Sequence, residues 1–147
     1  MSESITLAIQ APERPQHILI VEDNVALRFT LGEWLRSLNY TVYEAATADE
    51  AKTVLASPII VDLVITDVQM PGTLDGFGLV DHIRQIAPHL NVIVVSGDDT
   101  RREINEMGVM FFKKPYSFEA IALHAAKLLQ KNTEGPAHEQ QVAISPK

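Results

Sequence analysis

The chain has no cysteine, which excludes both a disulfide framework and a thiolate metal site. It has no apolar run approaching the roughly 20 residues a helix needs to cross a bilayer. Positive charge is scarce: 12 Lys and Arg stand against 19 Asp and Glu, for a net charge of −7. Binding to a phosphate backbone needs clustered basic residues, yet only Arg101-Arg102 and Lys113-Lys114 form basic pairs, both inside the folded pattern. Neither nucleic acid nor membrane is therefore an expected partner. Met1-Ser2-Glu3-Ser4 lacks the positive charge of a secretory signal, and the apolar patch from Ile5 to Ile9 is too short for its core, so a cytoplasmic location is expected. The five histidines, His17, His82, His89, His124 and His138, are scattered without ligand spacing.

What the chain does have is organised around Leu63-Val64-Ile65-Thr66-Asp67-Val68-Gln69-Met70-Pro71-Gly72. A short apolar run bounded by turn signals suits a strand covered on both faces. It ends on a carboxylate, Asp67, and the carboxyl end of such a strand is where open α/β sheets place their ligands. Alone, Asp67 reads as a turn residue; the other strand ends change that reading.

Residues 1–16, with two prolines, read as a loose arm, and the length beyond it suits one domain with a substantial core. His17-Ile18-Leu19-Ile20-Val21 is the first strand, and it ends on Glu22-Asp23. Leu27, Leu31, Trp34, Leu35 and Leu38 recur at helical spacing, which predicts a helix from about Val25 to Leu38 buried along that stripe. Thr41 to Ala45 is β-branched, aromatic and of mixed polarity, as expected near a sheet edge. Thr47 and Glu50 have capping-box spacing before a second helix, and Ala51, Val54 and Leu55 supply its inner face. After the Asp67 strand, a helix from about Phe77 to Ile86 carries Leu79, Val80, Ile83 and Ile86 on one side. Asn91 to Val95 is a fourth strand that delivers Ser96. Thr100 and Glu103 begin a short fourth helix before Gly108. Val109 to Phe112 is a fifth strand that hands over Lys113-Lys114-Pro115. Ser117 caps a final helix with Ile121, Leu128 and Leu129 inward, and from Asn132 to Lys147 the periodicity fails in a polar tail.

Five strands alternating with five helices give a doubly wound α/β domain over 17–131, with one parallel sheet and right-handed crossovers. The expected strand order is the flavodoxin-like 2-1-3-4-5. In that arrangement Glu22, Asp23, Asp67, Ser96 and Lys114 reach one sheet edge from four strand ends. Crowded carboxylates raise one another's pKa unless a cation intervenes, and Mg²⁺ takes one or two carboxylates together with water and phosphate oxygens. Asp67 can then act as a nucleophile toward phosphorus to give an acyl phosphate. Ser96 offers a hydroxyl and Lys114 a point charge to the phosphoryl oxygens.

With these motifs in place, residues from about His17 to Lys131 resemble the receiver domain of bacterial response regulators. The likeness rests on Val21-Glu22-Asp23, Asp67 with Met70-Pro71-Gly72, Val95-Ser96-Gly97 and Lys114-Pro115-Tyr116. It implies that Asp67 is the phosphoacceptor, and that Glu22, Asp23, Asp67 and the backbone carbonyl of Gln69 hold Mg²⁺. It further implies that Ser96 and Lys114 sense the phosphoryl group, that Phe111 is the aromatic that changes rotamer, and that Gln69 and Asp98 tune dephosphorylation. The expected function is a stand-alone phosphorylation-dependent switch, not a turnover enzyme. It would be charged by a histidine kinase or histidine phosphotransfer protein and signal by protein contact, or serve as a phosphate sink. An aspartyl-phosphate phosphatase would want a carboxylate where Gln69 stands. Three departures from the family pattern are Glu22 in place of Asp, a segment from Pro71 to Asp75-Gly76 one residue longer than the commonest pattern, and an interval from Ser96 to Lys114 about four residues shorter than usual.

Overall fold

Five short apolar runs form the strands of one sheet: β1 His17–Val21, β2 Thr41–Ala45, β3 Leu63–Asp67, β4 Asn91–Ser96 and β5 Met110–Lys113. Their order is β2-β1-β3-β4-β5, and every neighbouring pair is parallel, as the alternation of strands and helices predicts. The computed structural model describes residues 15–70, 72, 74–97 and 109–130. The expected helix after Thr100, the tail 132–147, all but the last two residues of the arm, Pro71 and Asp98 lie outside the described residues.

Helices α1 (Val25–Ser37), α2 (Ala48–Ala56), α3 (Gly76–Ile86) and α4 (residues 118–130) cover the sheet. Strand side chains alternate between faces. Ile18 and Ile20 of β1 pack with Ile65, Ile93 and Val95 beneath α1 and α4. Leu19 and Val21 pack with Val64, Val92 and Val94 beneath α2 and α3. Burying each such aliphatic side chain contributes roughly 1.5–3 kcal/mol before the entropy of ordering is counted. Burial on both faces explains the nearly unbroken apolar runs, whereas β2, at the edge, keeps the mixed pattern expected of it.

Each described helix starts on a side-chain cap. Asn24 accepts from the Leu27 N–H, Thr47 from Glu50, Asp75 from Gly78 and Ser117 from Ala120, at 2.9, 3.0, 2.9 and 2.9 Å. Satisfying otherwise orphaned amides this way stabilises a helix by about 1 kcal/mol each. The Glu50 carboxylate returns to the Ala46 N–H at 2.7 Å rather than to that of Thr47, one residue beyond a regular capping box.

Three side chains placed inside by the helical stripes lie outside. Trp34 is 37 % exposed, Leu38 47 % and Ile86 51 %. Leu38 is the C-cap of α1 and Ile86 the last residue of α3, so both stand at helix ends. Trp34 leans across to Phe118 of α4, with ring centroids 6.1 Å apart, and so bridges two helices instead of filling the core.

Gly76 fixes how the loop after β3 returns. Its N–H donates to the Val68 carbonyl at 2.8 Å. A Cβ at this position would collide with the Asp67 carbonyl oxygen and with the Val68 Cα. Only glycine lets the first turn of α3 rest directly on the backbone that carries Asp67.

Candidate functional site

Because the strands are parallel, their carboxyl ends share one edge, and the register places their last residues side by side. Asp67 pairs with Val95, and Ser96 with Lys113, so Asp67, Ser96 and Lys114 follow one another across three adjacent strands. Val21 pairs with Thr66, which puts Glu22 next to Asp67 from the other side. Of the sequence-predicted residues, Ser96 is fully buried, Glu22 and Asp67 are only 4 % and 5 % exposed, and Asp23 is exposed.

Three carboxylates meet there. Glu22, Asp23 and Asp67 each offer an oxygen, and these atoms lie within 4.8 Å of one another. The Lys114 Nζ donates to Asp67 Oδ2 at 3.0 Å and to Glu22 Oε1 at 3.2 Å. The Gln69 N–H donates to Asp67 Oδ1 at 3.3 Å, and the Asn24 N–H to Glu22 Oε2 at 3.1 Å. On the main chain, the Lys114 N–H donates to the Ser96 carbonyl at 2.7 Å and the Val68 N–H to the Val95 carbonyl at 3.1 Å. Phe111, paired with Val94 two residues before Ser96, is half-buried against the cluster beneath α2 and α3.

The electrostatics follow from burial and crowding. Burial raises the Glu22 carboxyl above its ordinary range; the Asn24 N–H opposes this, the Asp67 charge adds to it, and Lys114 counteracts it. For Lys114, burial disfavours the charge, but the bond to Asp67 and the charges of Asp67 and Glu22 outweigh it and hold the amine above its usual range. For Glu22 the loss of water outweighs the ion pair, which is why both partners of one contact move upward. Burial also raises the Tyr116 phenol, helped by the negative charges of Glu22 and Asp67. Lys114 offsets only one of three carboxylate charges, so an oxygen-only donor set with an unbalanced double negative charge remains. That is the chemistry a hard divalent cation satisfies.

Sequence reasoning missed the support behind these residues. Arg28, on the inner side of α1, donates from Nη1 to the Glu22 carbonyl at 2.7 Å and from Nε to Glu44 Oε1 at 3.3 Å. Charged residues on a helix ordinarily read as a solvated face, and no spacing distinguishes this one.

The family model described as response regulator receiver domain matches residues 18–126. The sensor kinase CckA of Brucella abortus is 34 % identical over 119 residues, covering 78 % of this chain and 12 % of that protein. The response regulator protein FleR of Pseudomonas aeruginosa is 30 % identical over 133 residues, covering 88 % of this chain and 28 % of its own. The chain thus spans a minor part of the curated relatives it matches. Among solved structures, the signal receiver domain of an HD domain-containing protein from Pseudomonas fluorescens superposes with a TM-score of 0.70 at 31 % identity, covering 81 % of this chain and 99 % of that one.

Proposed function

The chain belongs to the response regulator receiver family, and on that premise we propose that Asp67 accepts a phosphoryl group in a Mg²⁺-dependent reaction that switches the protein between two signalling states. Receiver domains are phosphoacceptors of two-component systems, and the finer assignment to this chain rests on its sheet edge. The observation that carries it is the convergence of Asp67, Glu22, Asp23 and Lys114 within hydrogen-bonding or metal-ligating distance.

Glu22, Asp23 and Asp67, with the Gln69 backbone carbonyl, would hold Mg²⁺. The ion, when bound, would neutralise charge on the incoming phosphoryl oxygens. A carboxylate oxygen of Asp67 attacks phosphorus and forms the acyl phosphate as the bond from phosphorus to the donor's leaving group breaks. That leaving group is the imidazole nitrogen of a histidine on a kinase or phosphotransfer protein. The Lys114 amine then shifts from the Asp67 carboxylate to a phosphoryl oxygen, so its positive charge stays paired throughout. The Ser96 hydroxyl, buried on the adjacent strand end, donates to a second phosphoryl oxygen. Because phosphoryl transfer demands mainly positioning and charge neutralisation, these groups suffice. Phe111, on the strand beyond Ser96, carries the change outward. The acidic net charge supports signalling by protein contact rather than by binding nucleic acid.

Intact mass after incubation with a small phosphodonor tests the assignment. A single phosphoryl adduct is expected with Mg²⁺, and none in Asp67→Asn or after chelation. Modification that persists under either condition would overturn it.

A further inference from the structure

We infer that Arg28 is a positioning residue for the cation site, clamping the Glu22–Asp23 peptide so that two adjacent carboxylates converge with Asp67. This rests on the proposed Mg²⁺ role of those carboxylates. Glu22 lies just past the end of β1, where the ladder no longer holds its carbonyl. Its N–H is fixed to the Ala45 carbonyl at 3.0 Å, and its carboxylate is occupied by Asn24 and Lys114. The Glu22 carbonyl is held instead by the Arg28 guanidinium at 2.7 Å. Rotation of that peptide plane would swing Asp23 relative to Glu22, so one donor sets the relation between two ligands.

The surrounding charges let a cation do this beside a cation site. Glu44 accepts from Arg28 through one oxygen and from Arg36 through the other, at 3.3 and 3.0 Å, and Arg36 also pairs with Glu33 at 2.9 Å. Two arginines and two glutamates therefore balance, and Arg28 adds little net positive charge toward an incoming ion. Gly32 makes room for this network: a Cβ there would stand 2.9 Å from a Glu44 oxygen and 3.2 Å from the Arg36 guanidinium. Glycine inside a helix costs roughly 1 kcal/mol relative to alanine, and the crossing of Glu44 over α1 accounts for its presence. Arg36 supplies the internal comparison. It ties α1 to the sheet in the same manner, through Glu44 and the Val42 carbonyl at 2.9 Å, but touches nothing at the site.

Groups that orient first ligands typically change metal affinity by about 10–100-fold when removed. The test is a Mg²⁺ titration of the full chain, following backbone amide resonances of Glu22, Asp23 and Asp67, with phosphoryl uptake measured separately at saturating Mg²⁺. Arg28→Ala should weaken the Mg²⁺ midpoint about tenfold while uptake at saturation stays within about threefold. Arg28→Lys should recover part of the loss, because an amine can still reach the carbonyl. Arg36→Ala should shift the midpoint less than about twofold despite a comparable loss of thermal stability. If Arg28→Ala does not fold, Arg28→Met, which keeps the aliphatic stem and removes the donors, should shift the midpoint in the same direction. A wild-type midpoint in Arg28→Ala, or in Arg28→Met if that variant must serve, overturns the inference and leaves the proposed function intact; so does an equal shift in Arg36→Ala. Absence of Mg²⁺-dependent shifts in the wild type overturns the proposed function itself, and this inference with it.

Discussion

Replacing Lys114 with methionine keeps a long side chain and deletes its charge. In the folded protein the amine lies 3.0 Å from Asp67 and 3.2 Å from Glu22. At an effective dielectric of about 20, each contact is worth a gross 5 kcal/mol or so. Desolvation cancels much of this, and breaking a buried pair by removing one partner costs about 3–5 kcal/mol. The Lys114 side chain is 26 % exposed, so screening brings the expected loss to about 2–3 kcal/mol. In a domain of this size that lowers Tm by about 10 °C. The distinguishing feature is the response to Mg²⁺. The carboxylates left unpaired are those proposed to hold the ion, and in the variant no resident ammonium opposes it. At Mg²⁺ about a hundredfold above the variant's Kd, binding returns about 2.7 kcal/mol and most of the lost Tm. Wild type, with weaker binding, gains less at the same concentration. Thermal unfolding by circular dichroism, with NaCl matching the ionic strength, reads this directly. A loss of stability that Mg²⁺ does not reverse, or that NaCl reverses equally, would refute the reasoning.

Other consequences can be checked by similar means. Gly76→Ala forces a methyl group into the Asp67–Val68 backbone and should cost about 3 kcal/mol in urea unfolding; Gly97→Ala, which meets no atom of the described residues within 4 Å, should change stability by less than about 0.5 kcal/mol. Burial raises the folded-state Glu22 pKa above its ordinary 4.5, so between that value and the raised one the native state binds more protons than the unfolded chain. Stability should therefore fall as pH rises through that window, with the full penalty present above it; urea midpoints in chelator should show this slope in wild type and lose it in Glu22→Gln. Ser96→Ala should still accept phosphate on Asp67. One charge-assisted hydrogen bond, at roughly 1.5–3 kcal/mol, biases a two-state equilibrium about ten- to a hundredfold, so exchange protection of the 110–113 amides at matched occupancy should change less than in wild type.

The sheet was legible because each strand is buried on both faces and reads as an apolar run between turn residues. Its edge was legible because parallel order brings all carboxyl ends together, so Glu22, Asp67, Ser96 and Lys114 could be grouped before any distance was known. Periodicity failed at two helix ends, Leu38 and Ile86, since hydropathy records which residues can be buried, not how far the covering of each helix extends. It also failed at Trp34, whose neighbour Phe118 belongs to a helix more than eighty positions away. Arg28 and Glu44 escaped for a different reason: a charged residue that reaches a main-chain carbonyl, as Arg28 does, or an opposite charge on another element, as Glu44 does, has the same one-dimensional signature as one in water.

Lys114 follows β5, at the margin of the sheet, yet its amine reaches over β4 to Asp67 on β3 and on to Glu22 beyond β1. Its own N–H is meanwhile fastened to the Ser96 carbonyl. One residue thus stitches the outermost strand to the middle of the molecule, bypassing the strand between. A change in what Asp67 carries would therefore reach the outer strand by two routes, the Ser96 hydroxyl on β4 and the Lys114 amine itself. The second route would work as a tether, loosened or tightened at the centre of the sheet and anchored at its boundary.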